Sequence, residues 1–283
     1  MIQDISALNS LNDQIDEIDT DILVMLARRF EIIKCLMMAR DLSDEDLSYD
    51  PAQEAIIMRR LLQKNNGVLS VPTLAKIWRE IITTGQRLHK DFTVAVYTKE
   101  RPNEMLELAK DYFGITGRYL SCLSVSQTIH KIDMKEADIG IVPLFEETDE
   151  AWWTALISTE HNHLKIVARL PFVAGKDSTN KKEAFVLSGV NNKETGKDRS
   201  LFAIEMAGHT SRATLKTMLS EIGLNVSQVW NAPNLPHIHL FAVELEGYIS
   251  VSDKKILAFQ EKYSKNIHMI RYIGGYAVPE VLE

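Results

Sequence analysis

The sequence predicts a multidomain chain of α and α/β parts: a three-helix region, then an α/β layer, then a ferredoxin-like βαββαβ unit. Three observations carry this. Apolar residues recur at threes and fours up to about residue 90, then at twos or in short bursts. Strands and helices alternate from there to about residue 184, as in a mostly parallel sheet. From residue 185 the order is strand, helix, strand, strand, helix, strand. A chain of 283 residues has room for two domains or three small ones. The expected boundaries are 1–90, 91–184 and 185–283.

In the first stretch Leu8, Leu11, Ile15, Ile18, Ile22, Met25, Leu26, Ile32, Ile33 and Leu36 repeat with no Pro or Gly among them. That is one helix of about 35 residues, against a usual length of about 11. The residues that follow are too few to cover so long a stripe, so it should pack on another chain. Asp41 to Tyr49 is polar and reads as a loop. Asp50-Pro51 reads as N-cap and first helical position, and Asn65-Asn66-Gly67 ends the second helix. A third helix begins near Ser70-Val71-Pro72, with Leu74, Ile77, Trp78, Ile81 and Ile82 inward, and fades near His89. Strands are expected at 92–97, 139–143 and 165–168, helices at 103–113 and 152–157, and a charged loop at 176–182. The last unit reads as strand 201–205, helix 211–222, strands 226–230 and 239–245, helix 253–264 and strand 268–273.

Composition excludes several classes. With 32 basic and 39 acidic side chains the formal charge is −7, which leaves no surplus for gripping nucleic acid or anionic lipid. No apolar run approaches the roughly 20 residues of a membrane span, and no signal peptide is visible. Cys35 and Cys122 are too few for a disulfide framework and read as reduced thiols in a cytoplasmic protein. His161, His163, His237 and His239 form i,i+2 pairs with no carboxylate or cysteine at ligand spacing, so no metal is expected. Trp152, Trp153 and Trp230 read as core or interface side chains.

Arg29 and Arg40 are eleven residues apart. Eleven steps of about 100° fall within about 20° of three full turns, so both guanidinium groups share one stripe, about 16 Å apart. Such a pair either faces solvent or brackets a small dianion. Arg29 falls on the apolar stripe itself, and an arginine there needs an anionic partner, whether carboxylate or ligand.

The run LNDQIDEIDTDILVMLARRFEIIKCLMMAR, a polar loop, YDPAQEAIIMRRL and then IWREIITTGQRLH resembles the all-helical class of chorismate mutase. The resemblance covers about 85 residues. It implies an intertwined homodimer, chorismate as substrate, and a unimolecular [3,3] rearrangement to prephenate that needs no metal, nucleophile or cofactor. Carried over by position, Arg29 holds a substrate carboxylate, and Arg40 stands where the family has a lysine directed at the ether oxygen. Glu54 matches the glutamate that binds the substrate hydroxyl, and Asp50 another polar residue of that site. Four positions depart. Asn12 and Gln53 replace arginines, Gly85 replaces a small hydroxyl residue, and His89 stands where a glutamine or glutamate donates to the ether oxygen. Each lost cation would remove about 1.5–3 kcal/mol of charge-assisted hydrogen bonding. Asp50-x-x-Gln53 also reads as a capping-box variant.

The remainder resembles a worn prephenate dehydratase, with a periplasmic-binding-like α/β layer, followed by an ACT-like module. The resemblance lies in Glu136 to Pro143, Thr195 to Ser200 and the closing Gly274-Gly275-Tyr276. The dehydratase chemistry is missing. Thr98 to Pro102 replaces a Gly-rich turn, Glu183-Ala184-Phe185 a Thr-Arg-Phe signature, and Phe145 to Thr148 a Glu-Asn-Ser stretch. Trp230-Asn231-Ala232-Pro233 replaces the usual amino-acid-binding signature of the last module. Two functions follow: a homodimeric chorismate mutase of aromatic amino acid biosynthesis, or a weakened or inactive mutase kept as a small-molecule-binding regulator.

Overall fold

The computed structural model describes residues 2–41, 49–88, 90–146, 151–174, 183–207, 210–232 and 239–281. They form two compact units. One holds the described parts of Met1–Ser48 and Ile81–Asp91, the other Tyr49–Glu80 and the described parts of Phe92–Glu283.

In the first unit, helix α1 runs Ile2–Asp41, 40 residues. Neither Pro nor Gly interrupts it, and its stripe is as apolar as the spacing predicts. That stripe faces solvent in the single chain: Leu8, Leu11, Ile15, Ile18, Ile22, Met25, Ile32 and Leu36 are each 48–60% exposed. The last turns of helix α3 (Val71–Arg87) belong to the same unit. A Cβ on Gly85 would stand 2.9 Å from Ile33 Cδ1 and 3.6 Å from Phe30 Cδ1, so the missing side chain permits this close approach to α1.

The second unit opens with helix α2 (Pro51–Lys64), bounded as expected. The Gln53 amide donates to Asp50 Oδ1 (3.1 Å), which is the N-cap bond the sequence implied. Then follow β1 (Thr93–Tyr97), α4 (Pro102–Phe113), β2 (Arg118–Cys122), α5 (Val125–Asp133), β3 (Ile139–Pro143), a 3₁₀ helix (Trp152–Ile157), β4 (Lys165–Leu170), β5 (Val173–Ala174) and β6 (Ala184–Ser188). The last part is β7 (Asp198–Met206), α6 (Arg212–Ser220), β8 (Val226–Asn231), β9 (His239–Glu246), α7 (Lys254–Lys262), β10 (Ile267–Ala277) and β11 (Glu280–Val281). Nine strands form one sheet in the order β2-β1-β3-β6-β4-β10-β7-β9-β8.

Strands β2, β1 and β3 are parallel, and β6 runs antiparallel between β3 and β4. The sequence pattern does not predict β2, α5 and β6, nor the two-residue strands β5 and β11. Strand β2 is an edge strand whose Arg118 and Ser121 face solvent, so it shows no apolar burst. Helix α5 is only nine residues long. Strand β6 is a short run buried throughout, with no turn signal at its start. Trp152–Ile157 is helical as expected, in the tighter 3₁₀ form.

The C-terminal β7-α6-β8-β9-α7-β10 run forms the antiparallel order β10-β7-β9-β8, the ferredoxin-like arrangement its sequence predicts. It joins the first half of the sheet where Gly274 of β10 pairs with Ile166 of β4. Gly274 has φ +139°, and a Cβ there would lie 2.2 Å from Ile166 O, so the junction requires glycine. The core beside it gathers around Phe145, whose ring lies 5.0 Å from those of Phe185 and Trp230, 5.3 Å from Trp152 and 6.0 Å from Trp153. The three tryptophans are thus packing side chains.

Candidate functional site

Arg29 is half-buried on α1. Its Nη1 donates to Ile81 O (3.4 Å), and it stands 3.6 Å from where a Gly85 Cβ would be. The structure therefore brings Arg29 and Gly85 together. Burial lowers the Arg29 pKa from the ordinary arginine value, yet a guanidinium stays charged at any physiological pH. Among the described residues no carboxylate pairs with it, so the charge is available to an anion. Asn12 is exposed on α1. The side chain of Arg40 and all of His89 lie outside the described residues.

The α2 residues belong to the other unit. Asp50 Oδ1 caps the helix and Oδ2 pairs with Lys193 Nζ at 3.0 Å. Gln53 is exposed in the first turn. Glu54 is buried, and Arg79 Nη1 donates to its Oε2 at 2.5 Å. The Arg79 guanidinium lies 3.9 Å over the Tyr112 ring. Burial opposes the Arg79 charge, but Tyr112 and Glu54 hold its pKa above the usual arginine value. Burial likewise raises the phenols of Tyr49 and Tyr112. A substrate hydroxyl on Glu54 would share the carboxylate with Arg79. Sequence reasoning missed Arg79. The signal was present: it lies among Leu74, Ala75, Trp78 and Ile82, an arginine on an apolar stripe like Arg29.

A cleft of about 250 Å³ opens at the carboxyl ends of β1 and β3, and four carboxylates (Glu100, Glu104, Glu146, Glu183) and the Arg101 guanidinium line it with Tyr97 and Pro143. Strands β2 and β3 flank β1 on opposite sides, so this is the switch point of the sheet, where α/β folds hold ligands. Its Glu183 pairs with Arg169 (3.0 Å), whose Nη1 donates to Tyr276 Oη (3.3 Å). Tyr276 in turn donates to Glu244. Ala184 and Phe185 are buried in β6. His161 Nδ1 and His163 Nε2 flank one carboxylate, Asp133, at 2.8 and 3.3 Å. His239 stacks on Phe241, and His237 lies outside the described residues.

Residues 11–90 match the family model for chorismate mutase type II. The N-terminal stretch is a chorismate mutase type II domain. The chain is 28% identical over 141 residues to a bifunctional chorismate mutase/prephenate dehydratase of Aquifex aeolicus, covering 48% of this chain and 38% of that protein. It is 23% identical over 135 residues to the protein of the same description from Neisseria gonorrhoeae, covering 48% of this chain and 36% of that one. The match thus spans less than two-fifths of the length of these two relatives. Among solved structures, the prephenate dehydratase of Streptococcus mutans superposes with TM-score 0.47 at 15% identity, covering 68% of this chain and all of that one. The quorum-quenching acylase GqqA gives TM-score 0.48 at 13% identity, covering 66% of this chain and 95% of that one. With the chorismate mutase domain identified, Arg29 and Gly85 fall inside the matched segment, as do Asn12, Arg40, Asp50, Gln53, Glu54 and His89.

Proposed function

We propose that the chain is a chorismate mutase, converting chorismate to prephenate in aromatic amino acid biosynthesis. The observation that carries the reading is Arg29: a half-buried cation in the chorismate mutase domain with no carboxylate partner among the described residues. The rearrangement is unimolecular, so catalysis consists of holding the substrate compact and placing positive charge where the breaking ether oxygen becomes negative. Arg29 supplies the carboxylate anchor in this reading and Arg40 the charge at the ether oxygen, with His89 as a further donor. Gln53, Asp50 and Glu54 serve the polar side of the substrate, Gly85 leaves space beside Arg29, and Asn12 comes from a second copy.

That copy is the occupant we propose for the exposed apolar stripe of α1, giving a homodimer. The cytoplasmic setting expected from the sequence belongs to the same reading. We read the ferredoxin-like unit as ACT-like, and assign no dehydratase chemistry to the α/β layer because Glu183-Ala184-Phe185 stands in place of the Thr-Arg-Phe signature. The domain limits 1–90, 91–184 and 185–283 belong to the same reading. The hold of Arg79 on Glu54 favours a second one, a weakened mutase that serves as a small-molecule-binding regulator.

Loss of chorismate ultraviolet absorbance decides between them. Purified protein should consume chorismate, and Arg29→Ala should reduce the rate at least a hundredfold, as expected on removing a charge-assisted bond to a desolvated anion. A wild-type rate equal to the uncatalysed background from pH 5 to 8 leaves only the regulator.

A further inference from the structure

We infer that Arg59 is a positioning residue for the proposed chorismate site: it fixes helix α2 to the α/β body and so makes that body part of the mutase scaffold. The inference rests on the function proposed above. Arg59 follows Glu54 by five residues on α2, about 140° round the helix, so the two side chains cannot serve one ligand. Any effect of Arg59 on substrate passes through the helix.

Its side chain is 14% exposed, and its five N–H groups have five acceptors. Nε donates to Glu280 Oε1 (2.8 Å), and Nη1 to Thr195 Oγ1 (2.9 Å) and Thr195 O (3.2 Å). Nη2 donates to Lys197 O (2.9 Å) and Val278 O (2.8 Å). The guanidinium also lies 5.5 Å from the centre of the Phe172 ring. These acceptors come from two segments, one entering β7 and one leaving β10, and both are anchored in their turn. Thr195 is held by Asp198, through Oγ1 to Oδ1 (2.6 Å) and N to Oδ2 (2.9 Å). The amides of Val278 and Glu280 donate to Lys197 O (2.9 Å) and Phe172 O (2.7 Å).

Two further ties hold the same helix. Asp50 at its start pairs with Lys193, and Glu54 on another face pairs with Arg79. Helix α2 is thus fixed at its start, on one flank and at its middle, all by residues from outside α2. A planar fork that meets five acceptors at once sets the rotation of a helix, which a lysine point charge cannot do. The first turn of α2 carries Gln53 and Glu54, so that rotation sets where both stand.

The test uses the full-length chain with Arg59→Ala, Arg59→Lys and Glu280→Gln, and with Arg60→Ala on an exposed face as control. Two readouts are taken: KM and kcat for chorismate, and amide hydrogen exchange across 51–64. Misplacing substrate groups by about 1 Å costs up to a hundredfold. We therefore expect Arg59→Ala to raise KM at least tenfold with kcat within about threefold, Arg59→Lys and Glu280→Gln to fall between, and the α2 amides to exchange faster. A role confined to folding would lower apparent kcat with the inactive fraction and leave KM alone, and that result overturns the inference. Should Arg59→Ala not fold, KM in the other two variants decides, and unchanged values overturn it. Should wild type show no chorismate turnover, the proposed function fails on its own account. The tie is then judged by exchange, and unaltered α2 protection in Arg59→Ala refutes it.

Discussion

Replacing Glu54 by alanine strands a guanidinium in the interior. Arg79 is 6% exposed and Glu54 4%, and their charged atoms are 2.5 Å apart. At an effective dielectric of about 20 the gross attraction at that distance is about 7 kcal/mol, and much of it offsets desolvation. Removing one partner of such a pair typically costs about 3–5 kcal/mol, because the other charge stays buried. The Tyr112 ring still faces the guanidinium at 3.9 Å and retains part of its stabilisation, which puts the expected loss near 3 kcal/mol. For a unit of this size that is a fall in Tm of about 6–12 °C. Thermal denaturation followed by circular dichroism reads it. Glu54→Ala/Arg79→Met removes both charges and should return to within about 1 kcal/mol of wild type, since a well-packed apolar pair is roughly neutral against a buried ion pair. A loss below about 1 kcal/mol in Glu54→Ala would refute the reasoning. Glu54 would then be held only loosely and be available to a substrate hydroxyl.

Two other perturbations have definite signs. Gly274→Ala places a methyl 2.2 Å from the Ile166 carbonyl oxygen at φ +139°, and neither backbone can yield cheaply. We expect at least about 4 kcal/mol of destabilisation or no folded product; a Tm within 3 °C of wild type would contradict the junction described for β4 and β10. Burial raises the phenol pKa values of Tyr49, Tyr112, Tyr272 and Tyr276 above the ordinary 10. The folded chain keeps these protons where the unfolded chain releases them, so their contribution is full below pH 10 and is lost as pH rises through the folded values. The urea midpoint should fall between pH 9 and pH 11, with ultraviolet phenolate absorbance lagging until the fold opens. Equal midpoints would show that the four rings are not held as described.

Much of the fold was legible because local chemistry and tertiary packing agree. Asp50-Pro51 and Asn65-Asn66-Gly67 bound α2 at the residues observed, and the ferredoxin-like arrangement agrees with the succession of strands and helices read from residue 185 on. Helix α5 was legible in principle. Ser124 caps it through the Gln127 amide (3.0 Å), Gln127 Oε1 accepts from the Leu123 amide (2.7 Å), and Val125, Ile129 and Ile132 follow at helical spacing. Strand β2 was not, because an edge strand with polar outward residues carries no burst to read. In the candidate site, Arg29 stood out as a charge on an apolar stripe, and the same argument applies to Arg79. Arg59 gave no such signal, since its partners lie 136 to 221 residues away and sequence spacing says nothing about them.

The residues that tie the α/β region together and those that line its cleft are different sets. Gly274 is required by the approach of β10 to β4, and Tyr276 links Arg169 to Glu244 across the two halves of the sheet. Thr195, at the junction before β7, is fixed by Asp198 and meets Arg59. These residues hold backbone segments together whatever passes through the cleft. Glu100, Arg101 and Glu183 instead line the cleft at the strand ends, together with Glu104 and Glu146. The layer also acts as a support. The segment it supports through Thr195, Lys197, Val278 and Glu280 is α2, a helix of the chorismate mutase domain.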